Sequence, residues 1–320
     1  MRDRRFVAMV GCREAPRWGL PLLLILLVSL LAAVGVAFSL FLVRAALRAG
    51  QLGLRIEPTI LGSVANFFDT LGIGSFAPTL AWMRLRRLVP DQRIPMTMLA
   101  GYTPPVFIQS IIFLLLLWVG VDPVLLVGSA VAISAGAVIG APIAAHSPVR
   151  TVQLIVVVAL LMAAFFYSLS NLGLMPVGGD AASLPLPLML IAIAASFVFG
   201  VLLNFGVGNY APTLAMLSLM GMDPRLAFPI MAFGAALAGA AASSRLVKLA
   251  DLDLRIVLSL AIGSVPGVLV AAFLVKEMPL TMLRWLVVVV VTYAALSLLY
   301  TALRRPVPTP EERLKQALVD

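Results

Sequence analysis

Two stretches of this sequence share one pattern and decide the fold: FDTLGIGSFAPT at residues 68–79 and LNFGVGNYAPT at residues 203–213. Each stretch places a Gly-x-Gly pair inside a long apolar run, followed by a polar residue and then, three residues later, by proline. Glycine weakens a helix by about 1 kcal/mol relative to alanine, whereas proline is tolerated in the first turn of a helix. The pattern therefore predicts that one helix ends and another begins within each run.

The two stretches belong to an internal repeat. With an offset of 134 residues, Leu71–Pro95 aligns with Phe205–Pro229, and ten of the 25 positions are identical. An offset of 131 residues then aligns Gly136 with Gly267. Internal repeats of this kind are a common origin of membrane transporters. We predict two similar units of four segments each, at residues 52–174 and 187–303.

The composition indicates a membrane protein. Of the 320 residues, 62% are hydrophobic and 12% are charged, and the mean hydropathy is +1.09, whereas a soluble domain carries about 25% charged residues. A bilayer core about 30 Å thick needs about 20 apolar residues as a helix. Long uncharged runs lie at residues 19–43, 94–119, 123–145, 151–174, 226–244, 256–275 and 285–303. The sequence predicts an all-α polytopic membrane protein with a leading span at residues 19–43.

Several other classes of protein are excluded by the sequence. The net charge of +9 comes without a nucleic-acid-binding motif, and basic loops that orient membrane spans explain it. Cys12 is the only cysteine and His146 the only histidine, so an internal disulfide and a clustered metal site are not expected. We predict that the protein is not an enzyme and that it holds no metal, cofactor or nucleic acid.

The topology follows from the uncharged stretch at residues 181–222. As one helix these 42 residues would be about 63 Å long, which is twice the bilayer core, so we expect a re-entrant hairpin. A hairpin in each unit leaves an odd number of crossings per unit and makes the two units inverted. The tail at residues 304–320 is then cytoplasmic, because it follows the basic loops. The same topology places the basic arm at residues 1–18 outside the cell, which conflicts with the rule that basic segments lie in the cytoplasm.

The predicted helix starts define a candidate binding site. We expect new helices to begin at Phe76 and Tyr210, with Ser75 and Asn209 as N-caps. Helix starts inside a bilayer need partners for their N–H groups, and broken helices in transporters direct their positive ends at anions. The predicted substrate-binding residues are Ser75, Phe76, Thr79, Asn209, Tyr210 and Thr213, with Phe76 and Tyr210 as gates or pocket walls. The predicted helix-break residues are Gly72, Gly74, Pro78, Gly206, Gly208 and Pro212. In the alternative interpretation, the small residues only allow close helix packing.

Asp69 is the only acidic residue within an apolar stretch, and its repeat partner is Leu203. Carboxylates inside membranes commonly have a function. We therefore predict Asp69 as a coupling site for a proton or Na⁺. The alternative is a carboxylate that caps or pairs near the membrane interface.

Residues 66–78 and their second copy at residues 206–212 resemble the sulfite exporter TauE/SafE permease family, as do residues 222–229 and 263–268. The resemblance covers about residues 52–303. It implies two four-segment repeats in a bacterial inner membrane that move small anions, typically sulfite or organosulfonates. Many members have a third consecutive glycine where this sequence has Phe76 and Tyr210, which indicates a divergent branch.

The predicted function is therefore gradient-driven secondary transport of a small anion across the bilayer. No ATP-binding P-loop is found in the sequence, so a gradient or a partner must supply the energy. Two alternatives stay open at this point: a passive anion channel, and a membrane scaffold or sensor that transports nothing.

Overall fold

The computed structural model describes residues 19–90, 93–117, 121–145, 149–173, 181–203, 208–249 and 252–303. This part of the chain forms eleven helices and no strand, and eight of the helices are long and apolar enough to cross a membrane. The predicted all-α polytopic fold is confirmed. The helices are α1 (Gly19–Arg48), α2 (Ile56–Thr70), α3 (Phe76–Arg86), α4 (Ile94–Leu117), α5 (Pro123–Ala145), α6 (Val149–Asn171), α7 (Leu186–Leu203), α8 (Tyr210–Leu219), α9 (Pro224–Leu249), α10 (Leu254–Glu277) and α11 (Leu280–Leu303).

Each predicted span corresponds to one of these helices, with small shifts at the ends. α9, for example, begins two residues before the uncharged run at residues 226–244 and continues five residues beyond it. Charged side chains at such helix ends lie at the level of the lipid headgroups. The basic arm at residues 1–18, His146 and the tail at residues 304–320 lie outside the described residues.

The fold contains two re-entrant hairpins, the first formed by α2 and α3 and the second by α7 and α8. In the first, Glu57 at the start of α2 accepts hydrogen bonds from Trp82 Nε1 (3.0 Å) and Arg86 Nε (2.8 Å) near the end of α3. In the second, Ala181 before α7 pairs with Met222 after α8 in an isolated β-bridge. Each hairpin therefore begins and ends on the same side of the molecule, as predicted.

Three full-length helices follow each hairpin: α4–α6 after the first and α9–α11 after the second. An odd number of crossings places the second hairpin on the face opposite the first, so the two units are inverted. The first hairpin enters beside the α9–α10 loop, where Arg55 forms an ion pair with Asp253 at 3.3 Å. We call this the basic face; the described bases on it include Arg48, Arg55, Arg84, Arg86, Arg87, Arg93, Arg150 and Arg255.

The two inverted units pack against each other through the first helix of each hairpin. The first helix of each hairpin packs most extensively on a helix of the other unit, α2 on α10 and α7 on α5. A Cβ at Gly267 would collide with the Ser63 carbonyl, and a Cβ at Gly136 would collide with the Phe197 carbonyl. These two contacts correspond to each other under the repeat offsets of 131 and 134. The internal repeat is therefore also a symmetry of helix packing.

The remaining helices enclose the hairpins. α4 packs on α9 and α6 packs on α11, while α1 lies against α4, α9 and α10. The two short helices differ in their surroundings. α8 packs on α6, α7, α9 and α11, and eight of its ten residues are buried. α3 packs mainly on α2 and α4 and leaves Trp82 and Leu85 exposed.

Candidate functional site

The first break has the boundaries that the sequence predicts. α2 ends at Thr70 and α3 begins at Phe76. Gly72 and Gly74 have φ values of 92° and 93°, in a region of backbone space that glycine enters without the penalty of a Cβ atom. The glycine pair is therefore needed to reverse the chain. Pro78 lies in the first turn of α3, where no intrahelical hydrogen bond is lost.

Asp69 and Ser75 close this break. Asp69 Oδ1 accepts hydrogen bonds from the backbone N–H of Ser75 at 2.8 Å and from its hydroxyl at 2.9 Å. The carboxyl group is buried, with 7% of the residue exposed. A carboxylate that accepts two hydrogen bonds at one oxygen retains the other oxygen, Oδ2, as a place for a proton. The break thus positions an ionisable group at the start of α3.

The predicted N-cap positions of Ser75 and Asn209 are confirmed. Neither side chain, however, makes a capping hydrogen bond. A capping side chain binds the N–H of the second or third helical residue, and here the third residue is Pro78 or Pro212, which has no N–H. The side chains are directed elsewhere, Ser75 to Asp69 and Asn209 to the Met231 carbonyl of α9 at 3.5 Å.

The second break resembles the first in its boundaries but not in its backbone. α7 ends at Leu203 and α8 begins at Tyr210, as predicted. Gly206 lies outside the described residues. Gly208 has no positive φ, unlike Gly74 at the equivalent place. Pro212 again lies in the first turn of the new helix.

Open space borders both helix starts. A Cβ placed on Gly74 or on Gly208 would meet no atom within 4 Å. The first backbone hydrogen bonds of the two helices run from Thr79 N to Ser75 O and from Thr213 N to Asn209 O. Among the described residues, no partner is found for the backbone N–H groups of Phe76, Tyr210 and Ala211. Within the described residues, each helix start therefore presents N–H donors without a partner beside an open volume.

The two breaks adjoin each other. A Cβ on Gly72 would lie 3.5 Å from the Leu214 side chain of α8 and 3.8 Å from Phe228 of α9. The first break therefore lies against α8 and α9 of the second unit, and the breaks contribute to one region of the molecule.

Buried polar side chains surround this region. Thr79 and Tyr102 share a hydrogen bond of 2.6 Å between their hydroxyls, and the Phe76 ring meets the Tyr102 ring nearly edge-on. Gln109 Oε1 and the Tyr210 hydroxyl are buried, and neither has a hydrogen-bond partner among the described residues. Such unsatisfied buried groups are rare in proteins and suit a site that receives a polar ligand.

The structure places the predicted site residues as follows. Ser75, Thr79, Asn209, Tyr210 and Thr213 are buried, whereas Phe76 is 48% exposed. Tyr102 and Gln109 are not among the predicted binding residues, although both interrupt the apolar sequence of α4. Their position beside the first break depends on the packing of α4 against α2 and α3. The assignment of these residues to substrate binding stays a prediction.

Within the described residues, no three or more His, Cys, Asp and Glu side chains lie together as a metal site would require.

The fold and the two adjoining breaks define a polytopic membrane protein built from inverted repeats with re-entrant hairpins. Residues 188–319 match the family model described as Sulfite exporter TauE/SafE, which confirms the predicted resemblance over the second unit. The match covers less than half of the chain, and the description of the family model is that of an exporter. No curated protein matches the chain. No solved structure matches it.

Proposed function

We propose that the protein is a gradient-driven secondary transporter of a small anion, a sulfur-containing oxoanion or an organosulfonate. The substrate site lies between the starts of α3 and α8. The observation that carries this proposal is the open space beside Gly74 and Gly208, each at a helix start whose first N–H groups have no partner among the described residues. Close helix packing, the alternative for these glycines, would fill that space.

Neutral groups hold the anion in this proposal. The backbone N–H groups of Phe76, Tyr210 and Ala211 donate to its oxygens, and the positive ends of two helix dipoles favour its charge. The hydroxyl of Tyr210 supplies a further donor. The helices α2, α4 and α8 contain no lysine or arginine, and the arginines of α3, Arg84 and Arg86, lie in its last turn, at the end away from the break.

Asp69 is the coupling group in this proposal. It lies at the first break, is buried, and has no acidic counterpart at the repeat-related position, Leu203. A proton or Na⁺ bound there would neutralise its charge when the anion arrives. We further propose that residues 52–174 and 187–303 are the two repeat units, that the basic face is cytoplasmic in a bacterial inner membrane, and that the C-terminal tail is on that side.

Transport into proteoliposomes tests the proposal. We expect saturable uptake of radiolabelled sulfite or of a small organosulfonate under an imposed proton or Na⁺ gradient. Asn209→Leu should abolish this uptake, because a leucine at the start of α8 removes a polar group and fills the open volume. Asn171→Leu is the matched control, since it makes the same change at the far end of α6, and it should transport normally.

The same experiment separates the alternatives. Flux that rises linearly with concentration and ignores the ion gradient would indicate a passive channel. Normal folding with no flux of any small anion would indicate a scaffold or sensor. Uptake that is equally strong in Asn209→Leu and in the unmodified protein would remove the site between the breaks from the proposal.

A further inference from the structure

The C-terminal end of α3 is basic and lies exposed on the basic face. Residues 82–87, here called the α3 end, include Arg84, Arg86 and Arg87, and all three arginines are exposed. The repeat offset of 134 relates them to uncharged residues at the end of α8, namely Ser218, Met220 and Gly221. The repeated fold therefore forms without bases at this place, and the arginines belong to the first unit alone.

The α3 end lies at the level of the lipid headgroups. The 11 residues of α3 span about 16 Å as a helix, which is about half of a bilayer core about 30 Å thick. α3 runs from the break to the basic face, where Arg86 lies beside the first turn of α2. Trp82 is 42% exposed and Leu85 is 75% exposed. Tryptophan is enriched at the membrane interface, so the α3 end offers a lipid both apolar and basic side chains.

The α3 end is anchored to the protein on one side only. Met83 and Val89 are buried in an apolar cluster with residues of α4 and α10. The chain turns between them, because Arg87 has a φ of 51° and Leu88 N donates to the Met83 carbonyl at 3.1 Å. The whole of α3 packs mainly on α2 and α4, whereas α8 packs on four helices. The other side of the α3 end therefore has no cover among the described residues.

Acidic groups do not balance the bases of this face. Among the described residues, its acidic residues are Glu57 and Asp253, and each already forms an ion pair with an arginine. The Arg86 side chain is 56% exposed in its ion pair with Glu57, and exposed ion pairs contribute little to stability. Arg86 can therefore exchange Glu57 for another anionic group at little cost.

We infer that the α3 end is a binding site for an anionic phospholipid. The phosphate binds the guanidinium groups of Arg86 and Arg87, while Trp82 and Leu85 contact the glycerol and the acyl chains. The partner is a lipid because exposed apolar side chains adjoin the arginines, and because anionic lipids gather where bases cluster beside membrane segments. The lipid covers the exposed side of α3. This inference does not depend on the proposed transport function.

Tryptophan fluorescence in lipid vesicles tests the inference. Trp18, Trp118 and Trp285 are replaced by phenylalanine, so that Trp82 alone reports. Its quenching is measured in phosphatidylcholine vesicles that contain the same mole fraction of either brominated phosphatidylglycerol or brominated phosphatidylcholine. We expect the anionic lipid to bind beside Trp82 about fivefold or more in preference to the zwitterionic one, the gain that one base near a membrane surface provides.

Trp285 provides the matched reporter. In a variant that keeps only this tryptophan, the exposed fraction is the same, 42%, but the residue lies on the opposite face, where the described bases and acids are equal in number. The preference for the anionic lipid should be close to absent there.

Two double variants locate the site. Arg86→Gln with Arg87→Gln should remove the preference at Trp82. Arg44→Gln with Arg48→Gln removes the same charge from exposed positions near the end of α1 on the same face, and should retain it. Glu57→Gln removes the carboxylate that competes for Arg86 and should strengthen the preference. This third variant keeps every arginine, so it decides the question even if the first double variant fails to fold.

Equal quenching of Trp82 by the two brominated lipids would overturn the inference. Loss of the preference in both double variants would overturn it too, since the whole basic face would then attract the lipid without a site. If inorganic phosphate abolishes the preference, the α3 end binds a soluble anion and the assignment to a lipid is wrong.

Discussion

At the scale of single residues, the two Gly-x-Gly motifs use glycine for different reasons. Gly72 and Gly74 adopt a backbone conformation with positive φ, which side chains disfavour. Gly208 does not, and a Cβ at this position would meet no atom within 4 Å. Gly208 is therefore required neither by the backbone nor by packing. In the proposed site, a methyl group at this position would reduce the open volume that receives the substrate.

Gly208→Ala should leave folding intact but impair transport. We expect the free energy of unfolding to change by less than about 0.5 kcal/mol. The KM for the anion should rise about tenfold or more, as one methyl-sized change in a binding pocket can cause. Thermal unfolding in detergent and concentration-dependent uptake measure the two effects.

The control is Gly53→Ala, in the loop before α2, where the added Cβ would be 3.8 Å from the nearest atom, in the Arg255 side chain. It should change neither stability nor transport. An unchanged KM in Gly208→Ala would mean that the open space beside α8 does not receive the substrate.

At the scale of helices, the hairpins are held by backbone-to-backbone packing with the other unit. Gly267 of α10 lies against the Ser63 carbonyl of α2, and Gly136 of α5 lies against the Phe197 carbonyl of α7. Helices in membranes approach this closely only where small residues face the partner. Because a backbone carbonyl cannot move aside as a flexible side chain can, these two contacts set the depth at which each hairpin sits.

Gly136→Ala and Gly267→Ala should therefore destabilise the protein. Overpacking typically costs about 1–3 kcal/mol, and we expect a comparable loss for each variant, seen as a lower Tm in detergent. The repeat symmetry predicts similar losses at the two positions. Gly208→Ala serves as the matched control, since it adds the same methyl group into open space. A normal Tm in both variants would contradict the close approach of these helices.

At the scale of the whole molecule, the two hairpins enter from opposite faces and differ in how deeply they are packed. α8 is enclosed by α6, α7, α9 and α11, whereas α3 is covered mainly by α2 and α4 and lies toward the basic face. The region between the breaks is thus more closed on the side of α8. If α3 took the more enclosed packing and α8 the more open one, the region between the breaks would open to the opposite side. Transporters built from inverted repeats alternate access in this way.

The orientation of the molecule can be tested with single cysteines, because Cys12 is the only natural one. In a Cys12→Ser background, Gly53→Cys lies on the basic face and Leu172→Cys follows α6 on the other face. With a membrane-impermeant maleimide, we expect Leu172→Cys to react in intact cells and Gly53→Cys only after permeabilisation. The reverse pattern would place the basic face outside the cell.

Much of the architecture was predictable because the chemistry that specifies it is local. Apolar runs of sufficient length define the spans, and a Gly-x-Gly pair followed by proline ends one helix and starts another within a few residues. The starts at Phe76 and Tyr210 agree with the structure to the residue. The re-entrant path also followed from sequence. A stretch of 42 uncharged residues is too long for one crossing, and without charged side chains it is not expected to lie in water.

The tertiary structure decided what depends on residues far apart in the chain. The packing of α2 on α10 and of α7 on α5 joins the two units, and Gly72 of the first break lies against Leu214 of α8. The sequence predicted Ser75 as an N-cap, whereas in the structure its hydroxyl donates to Asp69 Oδ1. Local backbone preferences depend on residues within one helical turn of each other. The partner of a side chain depends on which helix packs beside it, and that packing joins residues far apart in the chain.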